Sequence, residues 1–409
     1  MLAPLTFPNY RRMLGSNSLW WASLYMETLA MGWLTLELTN SAWLVSVVAF
    51  YRSIPLFLFG FLAGPIIDRL GRRQAIVVAT TLDLTTFSAI GMLLWLDRVE
   101  LWHLYIIAFV IGSVWAVSWP ARRGVLPDLV GKERTVDVLL VERFGQGAAK
   151  IVAPALAGVL VAVYGTLGCF MVIVLVQLVN LYAVWSVQKQ ETVTSTPDKH
   201  PSDAATLSFI QQITEGFTYV RREPLMLGII LTTVTMNLFV MPYTTLLPVF
   251  ARDVLNQDSV GLGWLSASLG IGTYVGLLML NVWRQAQGRY TNHGSIFLIG
   301  TAFMGFAIMA FALSPIFWLS WLALAAAAMG QNCFALMQNS IIMLSTDDEM
   351  RNRMMGIVVI CIGMGPFGKL FVGALAEAYG APFAVASTSI TGLLLLSLIA
   401  INTPKLRRV

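Results

Sequence analysis

Residues 64–73 read Gly64-Pro-Ile-Ile-Asp68-Arg69-Leu-Gly71-Arg72-Arg73, four charges in ten positions. The stretches on either side, 43–66 and 74–96, carry one charge each, Arg52 and Asp83. Each is long enough to cross about 30 Å of hydrocarbon at about 1.5 Å per helical residue. A short charged turn between two such runs reads as a helical hairpin folding back at a membrane surface. Gly71 permits a tight turn, Asp68 can face a helix N-terminus or an arginine, and the arginines anchor the turn at the cytoplasmic face.

The rest of the chain repeats this pattern. Hydrophobic residues make up 57% of the 409 positions, charged residues 11%, and mean hydropathy is +0.74. No water-soluble fold hides that much apolar side chain, so the solvent is lipid. Cutting at charges, glycines and prolines predicts twelve spans, at 15–38, 43–66, 74–96, 102–123, 135–163, 167–187, 225–249, 261–282, 294–313, 316–339, 353–378 and 382–402. The first run is too long for a leader h-region and lacks a small-residue cleavage pattern, so it is expected to remain as the first helix. Alternate loops hold 20 of the 26 Lys and Arg residues, Arg122 and Arg123 among them, against two in the opposite loops. The positive-inside rule then places both termini in the cytoplasm of a multi-pass plasma-membrane protein, a bacterial inner membrane being the expected setting. The net charge of +5 belongs to this loop pattern and gives no reason to expect nucleic acid. Cys169, Cys333 and Cys361 lie inside apolar runs and His103, His200 and His293 are scattered, so neither a disulfide framework nor a metal site is indicated.

The longest break opens as a polar linker, QETVTSTPDKHPSDAAT. It continues as LSFIQQITEGFTYVRR, where Phe209, Ile213, Phe217 and Val220 recur at helical spacing. The second part reads as an amphipathic helix on the cytoplasmic surface. The expected organisation is an N-terminal six-helix bundle, 1–187, a linker with its helix, 188–224, and a C-terminal six-helix bundle, 225–409. Internal repetition supports the division. KIVAPALA from Lys150 and KLFVGALA from Lys369 share four of eight residues at an offset of 219, and Arg134 and Arg353 share that offset. Related halves place a substrate site at their interface near the bilayer midplane.

The 64–73 stretch matches the GxxxDRxGRR loop motif of the major facilitator superfamily at Gly64, Asp68, Arg69, Gly71, Arg72 and Arg73. The resemblance implies an all-α fold of two pseudo-symmetric six-helix bundles and a conformational gate at those six residues. EGFTYVRREP before span seven, PARRGVLPDLV after span four and RNRMMG before span eleven resemble the drug:proton antiporter branch that includes macrolide and siderophore exporters. Two positions depart from the pattern: NVWRQAQGRY keeps Gly288 and Arg289 without the acidic residue, and Ala153 stands before Pro154 where the antiporter motif has glycine. Gly363 to Lys369 spells GxxxxGK, but Leu370 replaces the hydroxyl residue of a phosphate-binding loop, no strand precedes it, and it lies mid-span. No nucleotide or other cofactor is expected, which leaves an ion gradient as the energy source.

An ionisable group at mid-membrane depth needs a partner, a watery cavity or a function. Glu27, in span one, reads either as a proton-coupling carboxylate or as half of an ion pair with Arg52. In span five Arg143 and Lys150 lie within about 20° of one face, with Gly147 and Pro154, because seven residues at about 100° come round almost twice. These cations form a basic wall for an anionic group, with Lys369 of span eleven, or pair with Glu142 or Glu27. Asp83 reads as the structural partner of a loop arginine. Asn237, Tyr243 and Thr244 of span seven and Gln331, Asn332, Gln338 and Asn339 of span ten are cavity groups or interhelical hydrogen bonds. Trp115 and Trp119 are candidate stacking surfaces. The resemblance implies a secondary transporter, not an enzyme, that works as a monomer and exports amphipathic small molecules in exchange for protons. Uptake or flipping of an anionic, lipid-like substrate is the alternative; HExxH, GxSxG and paired His/Asp clusters are lacking for a membrane-embedded enzyme.

Overall fold

The computed structural model describes residues 3–131, 134–187, 209–287 and 292–407. Lys132, the 190–206 linker with His200, and Gly288 and Arg289 lie outside the described residues, as do the side chains of Phe209 and Ile213. The elements are helices: α1 (Pro8–Thr39), α2 (Ala42–Phe59), α3 (Ala63–Leu70), α4 (Arg72–Trp95), α5 (Leu101–Asp128), α6 (Thr135–Ser186), α7 (Phe209–Arg222), α8 (Pro224–Thr235), α9 (Leu247–Val249), α10 (Ser259–Gln287), α11 (His293–Leu313), α12 (Phe317–Ser345), α13 (Asp348–Ile362), α14 (Gly365–Tyr379) and α15 (Ala381–Asn402). Among the described residues ten stretches are long and apolar enough to cross a membrane. The 32-residue α1 falls outside that set because Trp, Ser, Thr and Glu27 dilute its apolar run. It turns Ser16, Asn17, Ser23, Glu27 and Thr35 inward, where other helices cover them.

Helix ends follow local chemistry. Asn40 closes α1 in the left-handed conformation, and Ser41 caps α2 by accepting from Leu44 N at 3.2 Å. Expected spans five and six run on as α6, with Gly165 (φ 68°, ψ 179°) the one non-helical residue between them. The 64–73 stretch is mostly helix rather than loop. Pro65 is tolerated in the first turn of α3, Ile66, Ile67 and Leu70 continue it, and the turn is confined to Gly71 (φ 78°).

Two expected spans are broken. Between α8 and α10 the chain winds through π and 3-10 turns, Met236–Val240, Met241–Leu246 and Phe250–Val254, around Pro242 and Pro248. Proline lacks the N–H that a helix interior requires and clashes with the preceding turn. The GxxxxGK segment supplies the second break, between α13 and α14, with Pro366 opening the new helix.

Helix α1 lies along α6, with α4 and α5 beside them, while α10, α11, α12 and α15 pack together. The two groups meet where α10 crosses α6 and α14 crosses α2. Small residues set the first crossing: a Cβ on Gly263 would stand 2.7 Å from Pro154 O and 3.3 Å from Gly158 Cα. The Gly147–Pro154 face is therefore a helix-packing stripe. Helix α7 sits against α13, buries Val220, leaves Phe217 exposed and joins Glu215 to Arg353.

Candidate functional site

A cavity of about 330 Å³ opens between α2, α5, α12, α14 and the broken segment after α8. The breaks explain it: irregular backbone cannot pack flush against its neighbours, and it turns Asn237, Tyr243 and Thr244 to one side. Of the expected cavity residues, Arg52, Trp115, Asn237, Tyr243, Gln331 and Lys369 lie in the wall. The others do not line it. Trp119 stacks on Trp115 at 5.8 Å between ring centres, Arg143 donates to Gln146 (3.2 Å), and Lys150 donates to Thr273 Oγ1 (3.2 Å). Asn332 donates to Thr273 O at 2.6 Å, and Gln338 to Thr233 Oγ1, so this part of the α12 polar set serves interhelical bonding.

Glu27 is fully buried and paired. Arg52 Nε lies 3.1 and 3.0 Å from its two carboxylate oxygens, and Nη2 lies 2.8 Å from Oε2. The Arg52 side chain keeps 20% of its surface exposed, in the cavity wall. The carboxylate thus reaches the cavity through its own counter-ion. Both lysines lack an acidic partner among the described residues: Lys369 donates to Ser53 Oγ and Lys150 to Thr273. Glu142 instead takes the indole N–H of Trp21 at 3.3 Å.

The arginines of the 64–73 stretch tie the turn to its own neighbourhood. Arg72 donates to Gly124 O (3.0 Å) and pairs with Asp128 of the PARRGVLPDLV segment, and Arg73 Nη2 donates to Trp185 O at 2.9 Å. Asp68 and Arg69 are exposed on α3, and Gly64 has open space beside it. Gly71→Leu is expected to cut flux more than tenfold without loss of membrane insertion, because its φ of 78° lies where a β-carbon is strained by about 1–3 kcal/mol. Flux per inserted molecule in vesicles checks it.

Polar contacts join the two helix groups at the end remote from the Gly71 turn. Glu377 of α14 accepts from Ser41 Oγ (2.9 Å) and Trp43 N (3.0 Å), at the start of α2. Arg252 donates to Leu36 O (3.1 Å) and Asn40 Oδ1 (2.8 Å), and Ser259 to Gly158 O (2.9 Å). Glu377→Ala removes a helix-start acceptor and a fixed negative charge, a change of about 1 kcal/mol, or roughly a fivefold weakening of the contact between α14 and α2 there. Labelling of a cysteine at Thr244 by a membrane-impermeant thiol reagent reads the change, and labelling unchanged from the parent counts against it.

Sequence reading missed three features. Glu377 gave no signal, because its partners are 334 and 336 residues away. Ser53 and Thr273 looked like ordinary helix hydroxyls. Arg122, counted among the loop arginines, is 1% exposed inside the N-terminal helix group. The pair of adjacent arginines held a usable hint: neighbouring residues on a helix point about 100° apart, so only one of the two can face lipid headgroups.

A helical membrane protein whose two helix groups enclose a polar cavity behind a charged turn is a transporter of the major facilitator type. The family model described as transmembrane secretion effector matches residues 1–409, and the chain belongs to that family. It is 26% identical to the multidrug efflux pump Tap of Mycolicibacterium fortuitum over 386 residues, covering 92% of this chain and 91% of that protein. Similarity to macrolide efflux protein A of Streptococcus pyogenes is 24% identity over 266 residues, covering 64% of each chain. Among solved structures, a mutant of a peptide transporter POT in complex with sulfate superposes with a TM-score of 0.79 at 12% identity, covering 98% of this chain and 95% of that one. The fold is shared, and the sequence resemblance to the major facilitator superfamily holds over the whole chain.

Proposed function

We propose that this protein exports amphipathic small molecules of antibiotic or siderophore type by alternating access, in exchange for protons taken at Glu27. The observation that carries the reading is the Glu27–Arg52 pair, whose arginine stands in the wall of the central cavity. A carboxylate whose counter-ion faces the cavity can lose that partner to a substrate or to water and take a proton instead, so that loading follows the state of the cavity. Counting α1 and the two parts of α6 about Gly165 beside the other spans gives twelve helices, with both termini in the cytoplasm of a bacterial inner membrane. Two six-helix halves are supported by the lysine contacts: Lys150 and Lys369 differ by 219 in number, and their hydroxyl partners Thr273 and Ser53 by 220. Each lysine reaches across to the other half, as a two-fold relation requires. The polar contacts around Glu377 belong to the closed outer end, and the exposed Asp68 to an open inner gate.

The same lysines favour a second reading. With Arg52 neutralised by Glu27, Lys369 leaves the cavity net positive, which suits a substrate bearing a carboxylate or phosphate. Purified protein in liposomes, with an imposed pH gradient and a panel of macrolides and carboxylate iron chelators, tests both. Macrolide accumulation in inside-out vesicles that stops when the gradient is collapsed supports export. Chelator movement alone, in the inward direction, supports uptake.

A further inference from the structure

Behind the cavity wall, α1, α4, α5 and α6 enclose a second set of polar groups. Arg122 donates to Ser16 Oγ (2.9 Å), Asn17 Oδ1 (3.1 Å), Thr80 Oγ1 (2.9 Å) and Ser118 Oγ (3.2 Å), and its guanidinium lies 5.0 Å from the centre of the Trp20 ring. All of these partners are neutral. A buried carboxylate, Asp83, 4% exposed, stands in the same helix group, and Trp20 lines the same void as Asp83. No direct ion pair joins Asp83 to Arg122 among the described residues. That separation matters: a carboxylate locked in a bidentate salt bridge cannot be protonated without stranding a buried guanidinium, whereas Arg122 keeps all four partners whether Asp83 is charged or neutral.

Beside Asp83 lies a void of about 10 Å³, lined also by Trp20, Trp115 and Gln177. This is space for about one water. Trp115 and Leu24 line both this void and the central cavity. The Trp115 indole Nε1 is buried and has no hydrogen-bond partner among the described residues, a costly condition for a donor beside a space of one water. A carboxylate and an orphaned donor thus border a one-water space, and Trp115 and Leu24 stand between it and the central cavity.

We propose that Asp83 is a second proton-binding site, which exchanges protons with the central cavity through one water held at Trp115. The charged groups around it are Glu27 from α1, Arg52 from α2 and Arg122 from α5, while α6 presents the neutral Gln177. The exchanger reading of the previous section gives this site its use, but the site's existence is tested without transport.

The experiment is infrared difference spectroscopy of the full chain in liposomes, between alkaline and mildly acidic pH, with the proton itself as probe. The expected result is a carbonyl band of a buried protonated carboxyl that is lost in Asp83→Asn and retained, displaced, in Asp83→Glu. The Asp83→Glu arm keeps the test decisive if the asparagine variant folds poorly. Trp115→Ala, which joins the two voids, is expected to speed deuterium exchange of the band several-fold. The proposal is overturned if the band is missing from the parent protein, if it persists unchanged in folded Asp83→Asn, or if exchange is the same with and without Trp115. A band assigned to Asp83 in a protein without pH-driven flux would uphold the site and sink the exchanger reading. Flux driven by pH, with the band unchanged in Asp83→Asn, would do the reverse.

Discussion

Glu27→Gln is expected to abolish pH-gradient-driven flux while leaving a folded protein. Glutamine keeps the shape of the side chain and can still accept from Arg52, but it no longer gains or loses a proton. Breaking a fully buried pair costs about 3–5 kcal/mol, because the surviving charge has no solvent. Arg52 keeps 20% of its side chain in the cavity wall, where water reaches it, so the expected loss is nearer about 1–3 kcal/mol. Thermal unfolding and flux in liposomes are measured on the same preparation. A second substitution, Arg52→Gln, should recover part of the stability and none of the coupling, because it removes the stranded cation without restoring a proton acceptor. Full pH-driven flux in a stable Glu27→Gln protein would show that the pair only holds α1 to α2.

Arg122→Ala carries the largest expected loss of stability, about 3–5 kcal/mol. It deletes donors to four side chains on α1, α4 and α5, at about 1 kcal/mol for each buried acceptor left without its donor. Arg122→Lys should fall between, because an ammonium keeps the charge but cannot span partners on three helices with a planar fork. Arg123→Ala, one position on, has no such network and lies against the Trp119 ring, so its effect should stay within about 1 kcal/mol. Thermal unfolding of the three variants in one detergent checks the order, and equal midpoints for Arg122→Ala and Arg123→Ala would remove the network from the account of stability.

Features that depend on short-range physics were legible in the sequence. Apolar runs long enough to cross a bilayer fix a helical membrane protein, since lipid offers no partner for an unpaired backbone group. Gly71 fixes the turn, and the Gly147–Pro154 face marks where another helix comes close. The charge of Glu27 at mid-span and the presence of Arg52 on the next helix made both of its readings visible, and the structure joins the pair with Arg52 in the cavity wall.

What depends on distant parts of the chain meeting was not legible. Spans seven and eleven read as plain apolar helices, yet their prolines and glycines break them where they face each other, and those breaks open the cavity. Whether a polar side chain of α12 faces cavity or neighbour turned on how the helix is rotated in the bundle: Gln331 lines the cavity, while Asn332, about 100° further round, bonds to α10. Arg122 and Arg123 are identical as letters, and only packing decides that one is sealed among four neutral acceptors and the other lies on an aromatic ring. Hydropathy and periodicity record how each helix meets lipid; burial of a charge depends on which three other helices close over it, and that is settled by side-chain fit in the folded bundle.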